Sequence, residues 1–128
     1  MKLLLDTHLL LRAANALDRL SAAVRDLLEN PDNILVFIAA VLLEITIKGG
    51  LGRADFRVDA RVLQRGLLDN GYEELAVTSA CAVAANSLPP IHKDLFVRLL
   101  VAQATVEGVV LVSTHTIVAQ YPGPVQLV

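Results

Sequence analysis

The sequence predicts an α/β fold with a mostly parallel central sheet covered by helices on both faces. Short apolar runs alternate with stretches of helical spacing from one end of the chain to the other. The runs KLLL, ILVFI and VVLVS carry no polar alternation until their ends, as strands buried on both faces do. No repeat, low-complexity stretch or linker interrupts the pattern, and 128 residues suit one core rather than two, so a single domain over 1–128 is expected.

Each element has its own local reason. Residues 2–5 are a buried strand ending at Asp6, and His8 to Leu17 has helical spacing. Ser21 caps a second helix, SAAVRDLLEN, which Asn30-Pro31 stops. ILVFI (34–38) is β-branched and aromatic, hence a strand, and AAVLLEITIK is a helix ending at Gly49-Gly50. VDARVLQRGLLDNG is a helix closed by Asn70-Gly71, LAVT (75–78) a short strand, and SACAVAANSL a helix stopped by Pro89-Pro90. Asp94 opens a helix to about Glu107 that Gly108 terminates. VVLVS is the next buried strand, HTIVAQ a last short helix and VQLV an edge strand. In open sheets of this kind, ligands bind at the carboxyl ends of the strands, where Asp6 and Ser113 to His115 fall.

Composition narrows the function. With 55% hydrophobic and 19% charged residues the chain is not disordered, and it carries more apolar side chains than one small core needs. A homodimer or a complex that covers part of the surplus is therefore expected, near residues 8–17 and 39–48. A net charge of −2 provides no chain-wide attraction for nucleic acid, so any such binding must be local. The single cysteine, Cys81, has no disulfide partner and sits in a small-residue run that reads as a packed helix face, which fits a reducing, cytoplasmic compartment. The run ILVFIAAVLL is shorter than the roughly 20 residues of a membrane span, and Asp6 and His8 break the signal-like N-terminus. No membrane role is expected.

Three carboxylates stand out. Glu44 is surrounded on its helix by Ala40, Val41 and Ile47, and needs a partner there; Lys48, four residues on, is one candidate. Asp6 (or Thr7) and Asp94 each suit a helix cap, and Asp94 can also pair with Arg98. Taken together, acids from separate segments that converge at strand ends are the ligand type of hard divalent ions such as Mg²⁺ or Mn²⁺, which assist phosphodiester hydrolysis. Lys48, Arg53, Arg57, Lys93 and Arg98 flank the acids and form a candidate basic rim for RNA, although their other reading is ordinary solvated charge. With three Phe, two Tyr and no Trp, no stacking platform is evident. His8 and His92 read as local polar contacts.

The segments LLLDTHLLLRA, LLEITIKGGLGR, LPPIHKDLFVRLLVAQA and LVSTHTIVAQYPG resemble, in order and spacing, the PIN-domain toxins of the VapC type, over nearly the whole chain. The resemblance implies a PIN-like three-layer α/β/α sandwich, a Mg²⁺- or Mn²⁺-dependent endoribonuclease acting on RNA, and a cognate antitoxin as partner. By position, Asp6 matches the family's first acidic ligand and Glu44 the acid of its second motif; Asp94, on the same helical face as the family's catalytic aspartate at position 97, completes the candidate catalytic and metal-binding set. L-E-I-T-I-K stands for the family's W-E-I-x-I-K, with Leu43 in place of tryptophan. Against H-x-D-P-F-D-R, His92, Asp94, Phe96 and Arg98 match, Leu95 replaces proline and Val97 replaces the second aspartate. His115 stands where the family's T-x-D has its acid; imidazole is a candidate ligand for a transition metal and a poor one for Mg²⁺. Two outcomes follow: a nuclease with an impaired site, or an inactive PIN domain that still binds antitoxin or RNA.

Overall fold

The computed structural model describes residues 1–15 and 17–128. Within these residues, five strands, β1 (Lys2–Leu5), β2 (Ile34–Ile38), β3 (Glu73–Leu75), β4 (Val110–Ser113) and β5 (Val125–Leu127), form one sheet in the order β3-β2-β1-β4-β5. All four pairings are parallel, with Leu3 opposite Leu35 on one side and Val110 on the other. Among the described residues, six helices connect them: α1 (Thr7–Asn15), α2 (Ala22–Glu29), α3 (Ala39–Gly50), α4 (Ala60–Asp69), α5 (Ser79–Asn86) and α6 (Leu95–Glu107). Right-handed crossovers place α1 to α4 on one face, as the chain steps β1 to β2 to β3, and α5 and α6 on the other, as it returns to β4. The packing agrees, with α4 against α1 and α3, and α5 against α6. The result is the expected three-layer α/β/α sandwich.

The central strands hold the core. Leu3, Leu4, Leu5, Val36, Phe37, Ile38, Leu111 and Val112 are all buried, which is why these runs show no alternation. Both edge strands are three residues long, and β3 carries Glu73 and Glu74 in exposed positions, which blunts pairing with another chain.

Several boundaries differ from expectation, each for a local reason. β3 lies at Glu73–Leu75 rather than 75–78, because Thr78 leaves the sheet to cap α5 and the Ala76 carbonyl accepts from Gln103 Nε2 at 3.0 Å. Asp59 caps α4, so the helix starts at Ala60 and not at Val58. The first helix ends at Asn15, and Leu17–Arg19 form a separate 3₁₀ turn; Ala16, within the expected helix, lies outside the described residues. Of HTIVAQ only Val118–Gln120 is helical, as one 3₁₀ turn. Ser21 and Asp94 cap their helices as expected, and Gly108, at φ 68°, closes α6 in the left-handed conformation that glycine adopts without strain.

Gly49 and Gly50 do not end α3; they belong to it, and the left-handed turn comes at Gly52, φ 83°. Gly49 has a different task. A Cβ there would lie 2.8 Å from the Phe56 carbonyl oxygen, so only glycine lets the following 3₁₀ turn (Ala54–Phe56) fold back on the end of α3. Gly49→Ala is expected to destabilise the protein by about 1–3 kcal/mol, read as a lower urea midpoint at unchanged slope, while Gly50→Ala, with open space around its Cβ, is not.

Candidate functional site

The strand order reverses direction between β1 and β4, because the chain leaves β1 towards β2 and comes back to β4 on the other side. Such a switch point opens a crevice at the carboxyl ends of the strands. A cavity of about 110 Å³ lies there. Asp6, Thr7, Glu44, Asp94 and His115 form its polar wall together with His8 and His92, and Val97, Leu100, Leu111 and Val118 its apolar wall. The acids expected from sequence to converge, Asp6, Glu44 and Asp94, therefore line one cavity although they come from the end of β1, the middle of α3 and the cap of α6.

Asp6 is held by both neighbours of its strand end. Its Oδ1 accepts the Leu9 N–H at 2.9 Å, capping α1, and its Oδ2 accepts the Ser113 hydroxyl at 2.6 Å from the end of β4. Ser113 Oγ in turn accepts the His115 N–H at 3.1 Å, which fixes the loop that carries His115. Asp6 is thus both cap and cavity wall, and the two sequence readings of it do not compete.

Glu44 is buried, with 4% of its surface exposed, and Lys48 is the partner it needs there. Thr7 Oγ1 donates to its Oε1 at 2.5 Å and Lys48 Nζ to its Oε2 at 2.6 Å. Lys48 Nζ also donates to Asp94 Oδ2 at 2.8 Å, while Asp94 Oδ1 accepts the Phe96 N–H at 2.8 Å as the cap of α6. One ammonium thus bridges the two acids. The rings of Phe56 and Phe96 lie 5.1 and 5.7 Å from it, and cation–π attraction adds to its hold.

Burial works against the charge on Lys48, but its hydrogen bonds to Asp94 and Glu44 outweigh that and hold its pKa above the ordinary 10.5. Burial likewise opposes the Asp94 carboxylate, and the Lys48 and Phe96 hydrogen bonds overcome it and hold the pKa below the ordinary 3.8. Asp94 therefore contributes stability that is complete above 3.8 and lost as pH falls through its lowered folded value. Lys48 contributes stability that is complete below 10.5 and lost as pH rises through its raised folded value. In melts run from about pH 7 down to pH 2, the gap in melting temperature between the wild type and Asp94→Asn is expected to stay level to near 3.8 and then close. A gap that persists at the acid end would show that the charge of Asp94 is not what stabilises.

Glu44 and Asp94, bridged by an ammonium, do not fit the divalent ion that the resemblance implies, and Asp6 is the acid of the three whose partners are all neutral. Each carboxylate oxygen of Asp6, Glu44 and Asp94 accepts a hydrogen bond from the chain, and the space between Glu44 and Asp94 holds the Lys48 ammonium. Position 97 offers an isopropyl group. Among the described residues, no group of three or more His, Cys, Asp or Glu side chains is placed to hold a metal ion. His115 is exposed, its ring 5.7 Å from that of His8, which also packs edge-on against Phe56 at 5.4 Å. His92 is a local contact: its Nδ1 accepts the Asp94 N–H at 2.9 Å, and its own N–H donates to the Tyr121 hydroxyl at 2.8 Å.

Of the basic residues expected around the acids, two point inward. Lys48 is the bridge, and Arg98 Nη2 donates to the Ala85 and Leu88 carbonyls at 2.9 and 3.3 Å, tying α5 to α6 instead of pairing with Asp94. Lys93, Arg53 and Arg57 are exposed, with the Arg53 guanidinium 5.1 Å from the Phe56 ring centroid. The sequence did not single out Ser113 as a partner of Asp6, or Tyr121 as a support for His92. Ser113 had a signal, a hydroxyl at the end of a buried strand next to the one ending in Asp6; Tyr121, 29 residues from His92, had none.

No family model matches the chain, and no curated protein does. A solved structure does: VapBC2 from Rickettsia felis bound to a DNA fragment from their promoter contains a chain that superposes with a TM-score of 0.69 at 17% identity, covering 99% of this chain and 98% of that one. At that identity the likeness is one of fold, and the protein shares its whole fold, end to end, with a chain of a VapBC complex.

Proposed function

We propose that the protein is a VapC-like toxin of a toxin–antitoxin module, an RNA-directed nuclease by design whose catalysis is impaired by Val97 and His115. The observation that carries the reading is the meeting of Asp6, Glu44 and Asp94, with Val97 and His115 beside them, in the cavity at the switch point of the sheet. The shared fold with a VapBC chain supports it, as does an apolar stripe along α3 and its C-cap, where Leu43, Ile47 and Leu51 are 55%, 45% and 77% exposed and recur every fourth residue. A stripe of that kind on a helix fits a protein partner, the antitoxin or a second copy, as the apolar surplus of the chain requires.

A second reading, an inactive PIN domain that only binds antitoxin or RNA, has one observation in its favour, the Lys48 bridge across Glu44 and Asp94. Incubation of the wild type with a mixed RNA pool, with Mn²⁺ and with EDTA, separates the two. Slow cleavage that EDTA abolishes and Asp6→Asn removes is the expected result. Complete absence of cleavage by a folded wild type leaves the binding module in its place, and cleavage that survives Asp6→Asn overturns the assignment of this crevice.

A further inference from the structure

We infer that Lys48 is the resident cation of the crevice and closes Glu44 and Asp94 to divalent ions. Clustered carboxylates need a positive charge among them, and here the chain supplies it from within. The Nζ sits 2.6 Å from Glu44 and 2.8 Å from Asp94, where an ion shared by those two acids would have to sit. It is well placed to stay. Glu44 lies one helical turn before it, so the pair is set by α3 itself, and the partner side chains are only 5% and 24% exposed. The approach that Gly49 permits brings the Phe56 ring to 5.1 Å from the ammonium, and Phe96, in the first turn of α6, adds a second ring at 5.7 Å. An incoming hydrated ion must displace a covalently tethered competitor whose charge its surroundings favour, and it cannot repay that by finding a further acid at position 97.

The consequence is specific to the pair. Replacing the ammonium by an uncharged side chain of similar reach leaves two carboxylates facing one gap, and a divalent ion becomes their remaining source of positive charge. The inference concerns this crevice and not its substrate, so its test contains no RNA and can fail without touching the functional assignment, and the reverse.

The experiment is titration of metal-free protein with Mn²⁺, free ion being read by its electron paramagnetic resonance. Lys48→Met is expected to bind at least about tenfold more tightly than the wild type, Lys48→Arg to match the wild type, and Lys48→Met/Asp94→Asn to lose the gain. Equal affinity of the wild type and Lys48→Met, or retention of the gain without Asp94, overturns the inference. Competitive acetylation of the wild-type lysines reads the same closure should Lys48→Met fail to fold. Lys48 is expected to react at least about tenfold more slowly than the exposed Lys93 with no change on adding Mn²⁺, whereas faster labelling of Lys48 in Mn²⁺ shows the ion displacing the ammonium and overturns it.

Discussion

Val97→Asp together with His115→Asp is expected to raise chelator-sensitive RNA cleavage at least about 100-fold over the starting protein, and far more than either change alone. Both positions line the same cavity as Asp6, so the two new carboxylates meet an acid whose hydrogen-bond partners, the Leu9 N–H and the Ser113 hydroxyl, are neutral. That grouping shares no hydrogen bond with the Lys48 ammonium, and it returns hard oxygen donors without first having to expel it. The two effects couple because both carboxylates would serve one ion. A stability loss of about 1–3 kcal/mol should accompany the change at 97, since an acid there faces Leu100 and Leu111 and stands one helical turn from Asp94. The measurement is cleavage of a mixed RNA pool by the starting protein, both singles and the double, with and without EDTA. Equal activity in all four would show that Val97 and His115 never disabled the crevice; a folded but inert double would show that more than these two positions has been lost.

Much of this architecture is written locally and could be read without coordinates. Unbroken apolar runs announce strands covered on both faces, and Ser21 and Asp94 announce the starts of their helices because capping is decided within a few residues. β3, which lies two residues before the apolar run that suggests it, is the strand with least local signal: it is an exposed edge whose first two residues are glutamates, and its end is set by Thr78 turning to cap α5. Gly49 shows a related limit. Its place before a second glycine looked like a helix stop, whereas the reason for glycine is a carbonyl arriving from Phe56, seven residues on. The site divides in the same way. That Asp6 and Ser113 lie at strand ends follows from the pattern, and that Glu44 needs a cation follows from its apolar neighbours. Lys48 was legible as the partner of Glu44 at four residues' distance; its second bond, to Asp94 46 residues away, exists only once α3 and α6 meet. A residue expected to face RNA therefore turned out to hold the acids together.

Lys48→Met is expected to cost about 3–5 kcal/mol in metal-free buffer, the largest loss among single changes in the crevice. The reason is asymmetry. Removing the ammonium leaves Glu44, 4% exposed, with the Thr7 hydroxyl as its remaining donor, and leaves Asp94 with its cap bond to the Phe96 N–H, so two charges stay in poorly solvated surroundings with no cation between them. Asp94→Asn should cost far less, about 1 kcal/mol, because asparagine caps a helix as well as aspartate does and Lys48 keeps Glu44 as its partner. Lys48→Arg should fall between the two: the charge is kept, but a planar fork must replace a compact ammonium wedged between two carboxylates and two aromatic rings. Urea unfolding with EDTA throughout measures all three, and the slope should stay constant if the folded and unfolded states keep their compactness. A loss below about 0.5 kcal/mol for Lys48→Met would place the bridge among the surface ion pairs that contribute little, and the acids of this crevice would then owe their placement to Thr7, Ser113 and the two helix caps alone.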